Sequence, residues 1–284
     1  MKKCLVIINK KSGRASRIRE DRITAYLGND YMLTFDYLEK EIDYDNYDAL
    51  AIFGGDGTLS TILQKILRKK IDVLYFPYGT VNDRARNSKG SAHHMHTIVG
   101  SLNEKAFCYV AACGSFTPIG YKTNIRHKKY FKSLAYFAEA LKEFNIHRIK
   151  AKISTGDQVF EDAYTLIMLV KSKHCFYFPF NHLYNEDSLN AHLLLIRSPE
   201  SNGFWGKILL FFSFFRVFFI GLRKNIRGKY ITFLPYSRLT VTLEEPYPFC
   251  VDGEKYLPEK EFAVKIQQAT PMLEIIPRKK LKKK

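Results

Sequence analysis

The stretch Asp48–Ser60, DALAIFGGDGTLS, leaves the chain few ways to fold. Ala49 to Phe53 is a short apolar run with the length and composition of a buried strand. It breaks into Gly54, Gly55, Asp56, Gly57 and Thr58. Leu59, Ile62, Leu63, Ile66 and Leu67 then recur at helical spacing toward Arg68, Lys69 and Lys70. Strand, glycine turn and helix, in that order, bring backbone N–H groups to a helix start with no Cβ in the way. Such a start also carries a partial positive charge, so the turn suits a phosphate. The plainer reading is a tight strand-to-helix turn that uses glycine for its geometry alone. Asp56 weighs toward phosphate, because a carboxylate beside phosphates makes most sense with Mg²⁺ present.

The residues around this stretch alternate in the same way. Cys4–Ile8 reads as a buried strand, Asn9–Gly13 as a polar turn, and Arg14–Leu27 as a helix ending near Gly28. Met32–Tyr37 and Ile71–Phe76 read as further strands, and Pro77–Asp83 as a second special turn leading into Arg84 and Arg86. Alternation of this kind predicts a parallel α/β sheet. Loops at the carboxyl ends of neighbouring strands in such a sheet can share one ligand. From about Phe107 the texture changes to short runs rich in Tyr, Phe, Thr and Val: Phe107–Ala112, Ile149–Ser154, Tyr164–Val170, Ala191–Ile196 and Leu239–Leu243. One helix, Lys132–Phe144, interrupts them. This half predicts antiparallel β structure, a sandwich or barrel.

Charge and cysteine content narrow the class. A net charge of +17 asks for an anionic partner, nucleic acid or an acidic membrane surface. Aromatic–basic interleaving of an RNA-binding type is absent, which counts against nucleic acid. The five cysteines are odd in number and form no CxxC pair, so they read as reduced thiols. His93, His94 and His96 read as a solvated loop, with a metal cluster as the alternative. The apolar run at the N-terminus is too short for a signal peptide and fits a first strand. Phe204–Leu222, FWGKILLFFSFFRVFFIGL, approaches a bilayer span but is interrupted by Lys207 and Arg216. On a helix, Ser213, Arg216, Arg223, Lys224 and Arg227 fall within an arc of roughly 100°, leaving a broad apolar face. Two readings stand together: a helix in the membrane interface, or one packed in the core. The basic tail from Arg278 to Lys284 is either solvated or held electrostatically to anionic lipid.

Four segments together resemble the diacylglycerol kinase-like lipid kinases, the soluble bacterial branch in particular. They are Asn9-Lys10-Lys11-Ser12-Gly13 (family pattern N-P-x-S-G), Gly54–Thr58 (GGDGT), Gly79-Thr80-Val81-Asn82-Asp83 (GTxND) and Val251-Asp252-Gly253-Glu254 (VDGE). Gly114–Thr117 with Tyr121–Thr123 looks like the family's entry to its second domain. GGDGT alone is moderately specific, since NAD kinases share it; with GTxND and a late DGE in this order the signal is strong. The resemblance implies an α/β plus β fold. Its N-terminal Rossmann-like nucleotide domain would span 1–105, with 272–284 returning to it. A C-terminal β-sandwich domain for the lipid would span 106–271, with ATP in the cleft between the two. Asn9, Ser12, Gly13, Gly54, Gly55, Gly57, Thr58, Thr80 and Asp83 would face ATP. Asp56 would hold Mg²⁺ with the ATP phosphates, and Glu254, beside Asp252, would act as general base.

The chain also departs from the family. Lys10 replaces a proline. The L-D-D-G segment that supplies a structural Mg²⁺ in the bacterial branch is here Leu189-Asn190-Ala191-His192, so that metal site is expected to be absent. The family's V-D-x-G is EKAFCY at 104–109, which alters the support of the base. The expected activity is an ATP- and Mg²⁺-dependent lipid kinase acting on a hydroxyl of diacylglycerol or a related lipid. It would be cytoplasmic and peripheral to the membrane. Its partners would be lipid at an anionic surface and a second copy of the chain, with no nucleic acid expected. The alternatives are a catalytically weakened nucleotide or lipid sensor, and an NAD kinase.

Overall fold

In a computed structural model, the apolar runs of the first hundred residues become parallel strands. The structure describes residues 1–38, 42–79, 82–87, 95–115, 117, 146–175, 178–278 and 281. Thr80, His93, His94, Phe116, the 121–123 segment, the expected 132–144 helix and most of the basic tail lie outside them. The chain divides into two compact units, one of residues 1–98 with 268–284, the other of residues 99–267.

In the first unit β1 (Lys2–Ile8), β2 (Tyr31–Asp36), β3 (Ala49–Gly54) and β4 (Asp72–Pro77) run parallel in the order β2-β1-β3-β4. Every residue of β3 is buried, as expected for a strand covered on both faces. Val6, Phe53, Leu74 and Phe76 form one face with Ile23 and Leu27 of α1 (Glu20–Leu27), and the Phe53 and Phe76 rings stack at 4.2 Å. On α2 (Asp56–Ile66), Leu59, Ile62, Leu63 and Ile66 are buried. A short α3 (Asp83–Asn87) follows β4. The single helix expected over 14–27 is instead a 3-10 turn at Ala15–Arg17 followed by α1, because Ile18 and Arg19 are extended. Arg19 there bonds the Asp21 carboxylate, and Glu20 and Asp21 complement the positive start of α1.

Strand β5 (Met95–Leu102) leads into the second unit and pairs with β6 (Lys105–Phe107) in a tight hairpin. The pairing that follows is antiparallel throughout. The long β9 (Val159–Val170) takes β7 (Val110–Gly114) and β10 (Ala191–Arg197) along one stretch and β8 (Ile149–Ser154) along another. Beyond β10 come β12 (Ile231–Tyr236) and the two-residue β11 (Ile226–Arg227). Beyond β8 come β13 (Arg238–Tyr247) and the first part of β16 (Glu259–Ile275). The last residues of β16, Met272–Ile275, add a parallel strand beside β4. Between them, β14 (Cys250–Val251) and β15 (Glu254–Lys255) form a small hairpin on β7. All five cysteines are buried thiols, none in a disulfide.

On one face the Phe204 segment follows the core-packed reading. Helix α4 (Phe204–Phe215) continues as one π turn over Arg216–Ile220 and stops at Gly221, whose φ is +81°. Its inner side, Leu210, Phe214 and Val217, packs into the second unit's core, while Trp205 is 76% and Phe212 60% exposed. The basic stripe does not form. Ser213 is buried and bonds the Leu209 carbonyl, and Arg223, Lys224 and Arg227 come after the helix has ended. Among the described residues no helix is long and apolar enough to cross a membrane.

Near the start of β10 the chain places two basic side chains out of water. Lys171 is only 2% exposed, and its ammonium donates to the carbonyls of Asn185, Glu186 and Ser188 at 3.2, 3.2 and 2.6 Å. His192 stacks on Phe233 and accepts from Asn181 at Nδ1. Burial, and next the Lys171 charge, push the His192 pKa down to about 4. The unfolded chain takes that proton near pH 6.5, whereas the folded chain resists it. Stability is therefore whole above about 6.5 and falls as pH drops toward 4, by on the order of 3 kcal/mol. Urea midpoints measured between pH 7 and pH 4 should show this loss, and His192→Phe, which keeps the stack, should blunt it.

Candidate functional site

Three turns follow β1, β3 and β4 at their carboxyl ends, and hydrogen bonds tie each to the others. Asn9 joins the first to the second: its N–H donates to the Phe53 carbonyl at 3.0 Å and its side-chain amide to Thr58 Oγ1 at 2.9 Å. The Asn9 side-chain oxygen also accepts from Lys11 N–H, and the Ser12 N–H closes on the Asn9 carbonyl. Gly13 completes this turn with φ +48°. The Tyr78 and Gly79 N–H groups both donate to the Gly54 carbonyl, which joins the second turn to the third. Arg14 N–H, donating to the Tyr78 carbonyl at 2.8 Å, closes the triangle.

Glycine is required where these backbones touch. A Cβ on Gly79 would stand 2.3 Å from the Gly55 Cα, and one on Gly54 would stand 2.7 Å from the Thr58 side chain. Gly55 starts α2 with no side-chain cap. A helix start approached by glycine backbone and left uncapped fits an anion such as a nucleotide phosphate.

Asp56 does something other than wait in the turn. It is 4% exposed; its Oδ2 accepts the Asp83 N–H at 2.6 Å, and its Oδ1 accepts the Tyr75 hydroxyl at 3.2 Å. Arg84 N–H lies 3.4 Å from the same Oδ2. Asp56 thus fixes the start of α3 against β3. Asn82 locks the third turn by accepting from Gly79 N–H and donating to the Gly79 carbonyl. The Asp83 side chain, expected to face the nucleotide, is fully buried. Thr80 lies outside the described residues.

In the second unit Asp252 and Gly253 form the two-residue loop of the β14–β15 hairpin, with φ +48° and +93°. Asp252 is buried, and its carboxylate accepts three backbone N–H groups: Cys108 at 2.5 Å, Tyr109 at 3.1 Å and Val110 at 3.0 Å. Its own N–H returns to the Val110 carbonyl. The hairpin is pinned to the segment that replaces the family's V-D-x-G. Glu254 begins β15 with its side chain 53% exposed, 3.4 Å from the Lys105 ammonium.

Tyr75 and Lys105 are the residues that sequence reasoning passed over, and Asn82 was quoted in its motif without a role. Tyr75 carried a usable signal: a hydroxyl inside the buried run Val73–Phe76 needs a partner. Among the described residues no group of three or more His, Cys, Asp and Glu side chains could hold a metal.

Residues 3–106 match the family model for the diacylglycerol kinase catalytic domain. A diacylglycerol kinase of Staphylococcus carnosus is 28% identical over 142 residues, and one of Staphylococcus saprophyticus 28% identical over 139 residues. Each match covers 44% of this chain and 46% of the relative, so the chain spans about half the length of these relatives. The crystal structure of a diacylglycerol kinase from Bacillus anthracis superposes with a TM-score of 0.69 at 18% identity, covering 96% of both chains. This supports a mixed α/β, sheet-rich fold of that kind.

The two acidic residues of the hairpin should separate in experiment. Asp252→Ala leaves three N–H groups without their acceptor and should cost about 2–4 kcal/mol of unfolding free energy. Glu254→Gln, at an exposed position, should stay within about 0.5 kcal/mol of wild type. Parallel urea titrations measure both.

Proposed function

We propose that the chain, whose residues 3–106 match the diacylglycerol kinase catalytic domain and which is similar to diacylglycerol kinases, is a lipid kinase that phosphorylates a hydroxyl of diacylglycerol or a related lipid using ATP and Mg²⁺. The observation that carries this reading is the triangle of turns, in which glycine backbones meet at a helix start that has no side-chain cap, an arrangement that suits an anion. ATP would supply the transferable phosphoryl group. Phosphoryl transfer asks the protein chiefly to hold reactants in line and to offset developing charge. In this reading the phosphates lie against Gly54, Gly55, Gly57 and Thr58, with Asn9, Ser12, Gly13 and Thr80 around them. Asp83 contributes through its backbone. Asp56, which keeps the second and third turns in register, would hold a nucleotide-borne Mg²⁺ through water, and the metal would offset phosphate charge. Glu254 takes the proton of the lipid hydroxyl, and Asp252 holds the hairpin that presents it. Lys105, paired with Glu254, restrains that carboxylate in place of the family's missing aspartate.

The lipid substrate lies in a membrane, and α4 offers a way to reach it. A surface helix that buries one side and exposes Trp205 and Phe212 on the other fits a partial insertion among acyl chains. The chain's excess of positive charge favours an anionic leaflet. We place the protein at the cytoplasmic face, attached peripherally.

ATP consumption with Mg²⁺ and mixed micelles of diacylglycerol and anionic lipid tests the activity, wild type beside Glu254→Gln. Lipid-dependent turnover that falls at least about 100-fold in the variant supports kinase and base together. Undiminished turnover in the variant removes Glu254 from the chemistry, and ATP binding with no turnover reduces the protein to a sensor. For attachment, Trp205→Ser with Phe212→Ser should weaken co-sedimentation with anionic vesicles by at least about tenfold. Unchanged co-sedimentation would detach α4 from the membrane.

A further inference from the structure

Five arginines surround one hollow of about 420 Å³ in the first unit. Arg14 and Arg17 come from the turn after β1, Arg19 and Arg22 from the start of α1, and Arg278 from the segment after β16. Only Arg19 is paired, with Asp21 at 2.6 Å. Among the described residues no carboxylate forms an ion pair with Arg14, Arg17, Arg22 or Arg278. Like charges gathered around a concavity repel, and an anion placed among them relieves that repulsion. The remaining wall is apolar: Ile18, Leu281 and the ring of Tyr78, over which the Arg278 guanidinium sits 5.9 Å from the centroid.

We propose that this hollow is a second anion site, built for a multiply charged phosphate ester and separate from the glycine turns. Guanidinium groups match phosphate oxygens two at a time, which a cluster of five can do for more than one phosphate. The volume is that of a small-molecule site, and the apolar wall gives the organic part of an ester somewhere to lie. Arg14 and Tyr78 share a backbone hydrogen bond, so the hollow is anchored to the triangle of turns yet lined by none of its glycines. The site does not depend on phosphoryl transfer. Its ligand could come from a phospholipid headgroup or from a soluble organic phosphate; the recognising chemistry is the same.

The full chain is titrated with inorganic tripolyphosphate by calorimetry, and separately sedimented with vesicles of phosphatidic acid in phosphatidylcholine. The comparison is Arg17→Gln with Arg22→Gln, both exposed, against a charge-matched control in the second unit, Arg227→Gln with Lys229→Gln. The expected result is a loss of at least about tenfold in affinity for one probe in the pocket variant, and little change in the control. Loss confined to tripolyphosphate assigns a soluble phosphate, and loss confined to vesicles assigns a headgroup. No dependence on Arg17 and Arg22 with either probe overturns the site, as does an equal loss in the control. Lipid-dependent ATP turnover in the same preparations reports on the kinase reading separately, because either can fail while the other stands.

Discussion

The Asp56 carboxylate is the group on which the three turns at the carboxyl ends of the first unit's strands depend. Two strand ends, β3 and β4, each throw out an irregular turn, and no ladder hydrogen bonds continue beyond them. Asp56 supplies what the ladder cannot. It accepts the N–H that opens α3 and the hydroxyl of Tyr75, so the second and third turns hold one relation to each other. A buried carboxylate is tolerable only where donors converge on it, and here they do. The close approach of Gly55 and Gly79 is held beside it by the Tyr78 and Gly79 N–H groups on the Gly54 carbonyl.

Asp252 has the same occupation in the second unit. Three consecutive N–H groups converge on it, and the hairpin that carries Glu254 is fixed to the segment ahead of β7. Both aspartates sit inside motifs whose acidic residues invite a chemical assignment. Their geometry also makes each a brace for neighbouring backbone: the start of α3 in one case, residues 108–110 in the other.

Much of this was legible in the chain. The strands β1, β3, β4, β8 and β10 are continuous apolar or alternating runs bounded by turn residues, and they lie within a residue or two of where the pattern put them. The glycine turns were legible because close backbone approach leaves few alternatives to glycine. Less visible was everything fixed by contacts distant in sequence. Nothing local predicts that Ile18 and Arg19 extend and divide a helix whose composition would allow it to continue. Helical periodicity carried through Arg227 generated a basic stripe, but a single left-handed glycine at 221 ends the helix before the stripe can form. Lys105 meets Glu254 across 149 residues of chain, and Arg278 joins the α1 arginines from the far end. Such juxtapositions are products of topology.

Lys171 has one consequence beyond the pairing already described. A loop whose carbonyls converge on a cation usually takes that cation from solution, and its order then rises and falls with the ion's concentration. Here the cation is covalently part of the strand end beside it. Its entropic cost is fixed at roughly 2 kcal/mol of side-chain freedom and is met once, on folding. The 185–188 loop is thereby uncoupled from the ionic composition of its surroundings. No chelator can empty it, and no competing ion can exchange into it without first displacing a tethered group.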